Sequence, residues 1–279
     1  IGEKVSPKPV LLVILGALVG VCLGTGLAVV LDHSDRTFCG DEDIRNTLGL
    51  PVLARLSGTP RNGTVTGDRL GSSLDPALVT YHRPASPEAE AFCGLRTFLN
   101  HGRPDAPIKV LQITSPTPGD GKTILAANLA ISLARAGKRV LVVEADMRRP
   151  RLAELFGLPT TQGLAEVLAG EAELNDIVQQ TQVPRLWLAP CGPRPASPSE
   201  LLTRDSLDRF LQQARSEYDL VLVDSPGLIT VSDSMEIASR ADGVLLTIHA
   251  QNNSDDDALM ARDLLARVGA NVLGVVVND

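Results

Sequence analysis

Hydrophobic positions in this chain come in blocks, and the blocks change character along its length. The first is PVLLVILGALVGVCLGTGLAVVL, residues 9–31, without a single charge. Wound as a helix, about 23 residues reach roughly 34 Å, enough to cross a bilayer core of about 30 Å. The pattern therefore predicts a transmembrane helix over 9–31. Gly16, Gly20 and Gly24 recur every four residues and share one face, where a second helix could approach closely. Lys4 and Lys8 before the span balance Arg36 and Arg45 after it, so flanking charge does not orient it. Residues 32–84 read as a connector. Its DEDIRNTLGLPVLARL portion has room for a short helix and a strand, and SGTPRNGTVTGDRLGSS has the Gly/Ser/Thr composition of a flexible linker. SPEAEAFCGLRTFLN, 86–100, predicts a helix with Ser86 as N-cap, Pro87 at the first position and acids in the first turn.

From Ile108 onward, short apolar runs alternate with helical patterns. VLQIT (110–114), RVLVVEA (139–145), LWLA (186–189), LVLVD (220–224), GVLLTIH (243–249) and VLGVVV (272–277) are unbroken apolar stretches, as in strands covered on both faces. KTILAANLAISLARAG, 122–137, is a helical pattern closed by Gly137. The alternation predicts an α/β domain over 85–279 with a doubly wound, mostly parallel sheet. Ligands of such sheets lie beyond the carboxyl ends of the strands.

Composition narrows the partners. Of 279 residues, 44% are hydrophobic and 21% charged, compatible with a packed core. Mean hydropathy, +0.10, is raised by the first block. A net charge of −7 excludes sequence-independent nucleic-acid binding as the leading reading, and 3% aromatics leave little for stacking platforms. Cys22, Cys39, Cys93 and Cys191 form no CxxC pair, so neither zinc nor a disulfide framework is indicated. His33, His82, His101 and His249 are scattered and read as structural, as do Tyr81 and Tyr218. The chain opens on Ile1, which suggests a piece of a longer protein.

Three motifs carry chemistry. SPTPGDGKT, 115–123, lies between a strand and a helix and ends in the GxxxxGK[ST] pattern, with Pro116 at the first glycine. Gly119 and Gly121 permit turns that aim backbone N–H groups at phosphate, and the helix N-terminus adds partial positive charge. Lys122 can reach the β/γ-phosphates and the Thr123 hydroxyl can ligate Mg²⁺. Pro118, Gly119, Asp120, Gly121, Lys122, Thr123 and Ile124 form the predicted nucleotide-binding stretch. VLVVEADMRRP, 140–150, places Glu144, Asp146, Arg148 and Arg149 just beyond a strand. YDLVLVDSPG, 218–227, runs four apolar residues into Asp224. Acids at strand ends beside a phosphate loop can hold Mg²⁺ or orient a nucleophile. Lys122, Asp146 and Asp224 are the predicted catalytic residues, and Thr123, Asp146 and Asp224 the predicted Mg²⁺ ligands, with ATP as cofactor.

In their order, the apolar helix, the linker, the EAFxxLRT helix, SPTPGDGKT, EADMRRP and VDSPG resemble the bacterial tyrosine kinases of the polysaccharide co-polymerase type, which act in capsule and exopolysaccharide export. RLAELFGLPTTQGLAEVLAGE (151–171) and LAPCGPRPASPSELL (188–202) extend the resemblance over nearly the whole chain. It implies an ATP-dependent, autophosphorylating protein-tyrosine kinase in the bacterial cytoplasmic (inner) membrane. Residues 1–8 would be an extracytoplasmic remnant and the ATP domain would face the cytoplasm. The implied partners are further copies of the chain and the polysaccharide polymerisation and export machinery. The chain departs from the family pattern at Glu144, where Asp is usual, and at Pro116. It also departs at Cys93, which replaces the first Arg of an ExxRxxR oligomerisation motif otherwise kept at Glu90 and Arg96. The family's C-terminal tyrosine cluster does not appear before Asp279. Two other functions fit the same motifs: a non-catalytic, nucleotide-switched scaffold, and a membrane-tethered partitioning-type ATPase. The latter normally has a Lys early in the P-loop, where Ser115-Pro116-Thr117 stand here.

Overall fold

The apolar runs after residue 108 assemble into one sheet because each can be covered on both faces. The computed structural model describes residues 13–14, 16–21, 24–26, 40–56, 74–101, 107–203 and 205–279, and the chain divides into two units, Ile1–Thr37 and Phe38–Asp279. In the first unit the described residues are helical, and Val13, Ile14, Leu18, Val19 and Val21 are exposed. The span expected at 9–31 falls in large part outside the described residues. Among those described, no helix is long and apolar enough to cross a membrane.

The second unit begins with helix α1 (Asp41–Leu48), strand β1 (Val52–Leu56) and helices α2 (Val79–His82) and α3 (Pro87–His101). Then come β2 (Val110–Ser115), α4 (Lys122–Arg135), β3 (Val140–Glu144), α5 (Leu152–Leu155), α6 (Leu164–Ala169), α7 (Leu174–Ile177), β4 (Gln179–Gln180) and β5 (Leu186–Ala189). The chain continues through α8 (Pro198–Leu202), α9 (Asp205–Glu217), β6 (Leu220–Gly227), α10 (Asp233–Ala238), β7 (Gly243–His249), α11 (Asp255–Arg267) and β8 (Val272–Asn278). Strand order is β1-β8-β7-β2-β6-β3-β5-β4. Every neighbouring pair is parallel except β4 with β5. The mostly parallel α/β sheet expected from the alternation is thus present, and every residue of β2, β3 and β6 is buried.

Helix α4 covers one face with Leu125, Leu129 and Leu133, packed with Phe92 and Leu95 of α3. On the other face lie Phe210 and Leu211 of α9. Fully burying each such side chain stabilises by roughly 1.5–3 kcal/mol. Helix α4 stops where expected, with Gly137 at φ 92° and its N–H on Ala134 O. Helix α3 starts as its sequence dictates, since Ser86 Oγ accepts the Ala89 N–H at 3.2 Å.

The compact unit reaches further back than residue 85. The helix and strand foreseen inside the connector are α1 and β1, and β1 is an integral edge of the sheet, with Val52 beside Val275 and Leu56 beside Asn278. Ile44 and Leu48 give the reason: both are buried against Val275 and Val277. Residues near α2 dock by a polar route, with Thr80 N and Oγ1 donating to the buried Asn128 carboxamide oxygen at 3.0 and 2.8 Å.

Candidate nucleotide site

At the carboxyl end of β2 the chain turns through 116–121 into α4, between the ends of its two sheet neighbours. Gly119 and Gly121 take φ of 97° and 88°, a region that side chains rarely adopt. At Gly121 a Cβ would also lie 2.2 Å from Asn278 Nδ2, so that side chain would have to move. The residue before α4 offers no side-chain cap, so the first-turn N–H groups are left for an incoming anion. A cavity of about 340 Å³ opens in front of them. Pro118, Gly119, Gly121, Lys122, Thr123 and Ile124 form one wall, Asp146, Arg149, Arg151 and Leu155 the second, and His249, Asn278 and Asp279 the third.

The charges are concentrated under the loop. Lys122 is 5% exposed, and its Nζ stands 4.0 Å from Asp146 Oδ2. Asp146 Oδ1 accepts the Arg149 and Arg148 N–H groups at 3.0 and 3.3 Å, which fixes the carboxylate toward the lysine. Asp224, on β6, is 1% exposed, and among the described residues its Oδ1 has no hydrogen-bond partner. Burial lifts its carboxyl to about 7; Lys122 and the Thr123 hydroxyl pull it back, while Asp146 and Glu144 push it further up.

A buried acid with an orphaned oxygen, beside a hydroxyl and a second acid, fits a divalent cation. Thr123, Asp146 and Asp224 are the residues that would hold Mg²⁺. Among the described residues no group of three or more His, Cys, Asp or Glu is placed to bind a metal. Phosphate and water oxygens would therefore complete the shell.

The structure brings most predicted site residues together: Pro118, Gly119, Gly121, Lys122, Thr123, Ile124 and Asp146 line the cavity, and Asp224 lies buried beneath. Asp120 differs. Its side chain is fully buried and does not line the cavity, because its carboxylate accepts Thr117 N at 2.8 Å, Asn252 Nδ2 at 3.0 Å and Asn253 Nδ2 at 3.1 Å. Glu144 is also committed elsewhere. Oε1 accepts Leu152 N at 2.5 Å and Oε2 accepts Cys191 N at 3.0 Å, tying α5 and the loop after β5 to β3. Arg148 leaves the cavity for Asp233, at 2.9 Å. The Cys191 thiol, pushed up to about 12 chiefly by burial, is inert.

His249, read as structural, lines the cavity instead, because it ends β7, the strand beside β2. Arg151, Asn252, Asn253, Asn278 and Asp279 are functional-site neighbours that the motifs do not announce. Their signal is polar residues packed directly behind apolar strands, as in the HAQNNSDDD stretch that ends β7.

Fold and site together define a P-loop nucleotide-binding domain. A family model described as an AAA domain matches residues 108–261. EpsB of Ralstonia solanacearum, named as a putative tyrosine-protein kinase, is 34% identical over 99% of this chain and 37% of its own length. The tyrosine-protein kinase YwqD of Bacillus subtilis is 32% identical over 75% of this chain and 88% of its own. The kinase domain of Escherichia coli tyrosine kinase Etk is similar at a TM-score of 0.77 and 30% identity, covering 83% of this chain and 92% of that one. A septum site-determining protein MinD of Pyrococcus horikoshii, complexed with Mg-ADP, is 25% identical at a TM-score of 0.54, over 61% of this chain and 70% of its own. The chain belongs to the bacterial tyrosine-protein kinases. It spans a little over a third of the length of EpsB.

Proposed function

We propose that this chain is the ATP-dependent phosphotransfer part of a protein-tyrosine kinase that regulates capsular or exopolysaccharide synthesis and export. The observation that carries the reading is the buried Asp224, whose Oδ1 has no hydrogen-bond partner among the described residues, under a P-loop lysine. Family membership supplies tyrosine as the acceptor. Lys122 neutralises phosphate charge, and the loop's N–H groups orient the triphosphate. Mg²⁺, when bound, would spread the charge of the transferring group. Asp146, held by two backbone N–H groups, helps to position the metal and the attacking phenol, whose oxygen bonds to the γ-phosphorus and whose proton leaves to water while the bond to the ADP oxygen breaks.

The test is transfer of labelled γ-phosphate from Mg-ATP to a tyrosine-containing copolymer by the purified chain in detergent micelles. An external acceptor is used because Tyr218 is buried and Tyr81 half-buried. Asp146→Asn is expected to lower kcat at least about tenfold and to change KM for ATP far less. ATP hydrolysis with no phosphotyrosine would favour the partitioning-type ATPase; binding without either reaction would favour the scaffold.

The same reading places 9–31 in the cytoplasmic membrane with the nucleotide unit in the cytoplasm. It also makes the active form a homo-oligomer working with the polysaccharide machinery. Assembly through α3 should be weak, because Arg96 is turned onto α4, donating to Ser132 O at 3.2 Å and Oγ at 3.3 Å. Cys93, three residues earlier, cannot make the forked contact of an Arg. Cys93→Arg is expected to raise self-association in sedimentation velocity with Mg-ADP. An unchanged distribution, or a stable ring without the substitution, would show that position 93 does not govern assembly.

A further inference from the structure

Asp120 is a fully buried carboxylate that the proposed reaction does not use. Among the described residues, every hydrogen bond it accepts comes from a neutral group. Thr117 supplies its N–H at 2.8 Å and its hydroxyl at 3.0 Å; Asn252 and Asn253 supply amide N–H groups. The two asparagines differ in setting: Asn252 is exposed, whereas Asn253 is fully buried.

Asn253 uses both ends of its amide. Nδ2 donates to Asp120 Oδ1 at 3.1 Å and to Thr117 Oγ1 at 2.8 Å. Oδ1 accepts the His249 N–H at 2.8 Å. One side chain therefore joins two walls of the cavity: the phosphate loop, and the end of β7 whose His249 lines the opposite side.

We propose that Asn253 is a positioning residue for nucleotide binding. It locks the crown of the phosphate loop, residues 117–120, to the loop after β7. The loop N–H groups are thereby aimed before the nucleotide arrives, and ordering them does not weaken binding. Only a short amide serves. Aspartate keeps the acceptor for His249 but sets a second carboxylate against Asp120. Serine supplies neither the reach nor the pair of opposed groups. This role for Asn253 rests on the nucleotide reading of the cavity.

A reciprocal exchange tests it. The full chain in detergent micelles is titrated with Mg-ADP by calorimetry as wild type, Asn253→Asp, Asp120→Asn, and the double variant carrying both. Asn253→Asp sets two carboxylates against each other, and Asp120→Asn turns an amide N–H either toward Thr117 N–H or toward the asparagine donors, so each single change is expected to raise Kd at least about tenfold. The double variant restores a donor at 120 facing an acceptor at 253, with the second oxygen at 253 still open to His249 N–H. It is expected to return to within about threefold of wild type. A general loss of stability would not be reversed in Kd by the exchange. Circular dichroism accompanies each titration; if Asn253→Asp does not fold, Asn253→Ser replaces it with the same tenfold expectation. A folded single variant that binds like wild type, or a double variant no better than the singles, would overturn the proposal. A wild-type chain with no affinity for Mg-ADP would overturn the nucleotide reading itself, and the role of Asn253 with it.

Discussion

Lys122→Met is expected to weaken Mg-ADP binding by roughly a hundredfold. The lysine is buried at the start of α4, and its ammonium lies close to one carboxylate and acts on another. A charge-assisted contact to phosphate in such a setting is worth about 3 kcal/mol. Methionine keeps the length and the apolar stem but removes the cation, so the loss falls on binding rather than packing. Calorimetry at fixed ionic strength reads it directly. Affinity within a factor of three of wild type would mean that Lys122 does not face phosphate.

Asp224→Asn should separate stability from function. In the nucleotide-free chain, burial holds the Asp224 carboxyl at about 7 against an ordinary 3.8. The folded state therefore binds this proton more tightly than the unfolded state. The stability it contributes is complete below the unfolded value and is lost as pH rises through the folded one. Between pH 5 and 8 the wild-type chain should lose a few kcal/mol, because each tenfold difference in proton affinity between the two states is worth about 1.4 kcal/mol. Asp224→Asn should lose much less, so its thermal midpoint should exceed that of wild type at pH 8 and approach it at pH 5. Phosphotransfer should fall by at least about a hundredfold in the same variant. Parallel midpoint curves across that pH range would show that the carboxyl is not forced to ionise against its surroundings. Retained phosphotransfer would take it out of the reaction.

Much of this was legible because the information was local. Unbroken apolar runs such as 110–114 and 220–224 could only be strands covered on both faces, and the spacing from Gly121 to Thr123 could only be read as a phosphate loop once a strand preceded it and a helix followed. What stayed hidden depends on sheet order. Nothing near Asn253 in sequence says that β7 lies beside β2, yet that adjacency brings its amide to Asp120. Asp120 itself sits among ligand-facing residues and turns inward, which spacing cannot tell. Glu144 stands out in sequence as an unusual residue, but its role follows from Leu152 and Cys191 arriving from two other elements. Strand β1 reads as part of a connector because VLARL, which carries Arg55, runs straight into the Gly/Ser/Thr-rich stretch and stands far in sequence from the other strands. That arginine is an anchor, paired with Asp41 at 2.7 Å and Asp279 at 2.5 Å.

The pairing of β1 with β8 also dictates an order of events during synthesis. Arg55 and Asp279 are 224 positions apart, and the segment carrying Arg55 leaves the ribosome long before its partner exists. Its helix, with Ile44 and Leu48 uncovered, and its strand must wait while the central strands form around β2, with the partner edge still inside the exit tunnel. Asn278 and Asp279, which complete the third wall of the cavity, emerge after every other residue that lines it. A nascent chain halted before β8 would therefore display a finished phosphate loop with no closed pocket and an unpaired strand, which is the state in which a chaperone would have most to hold.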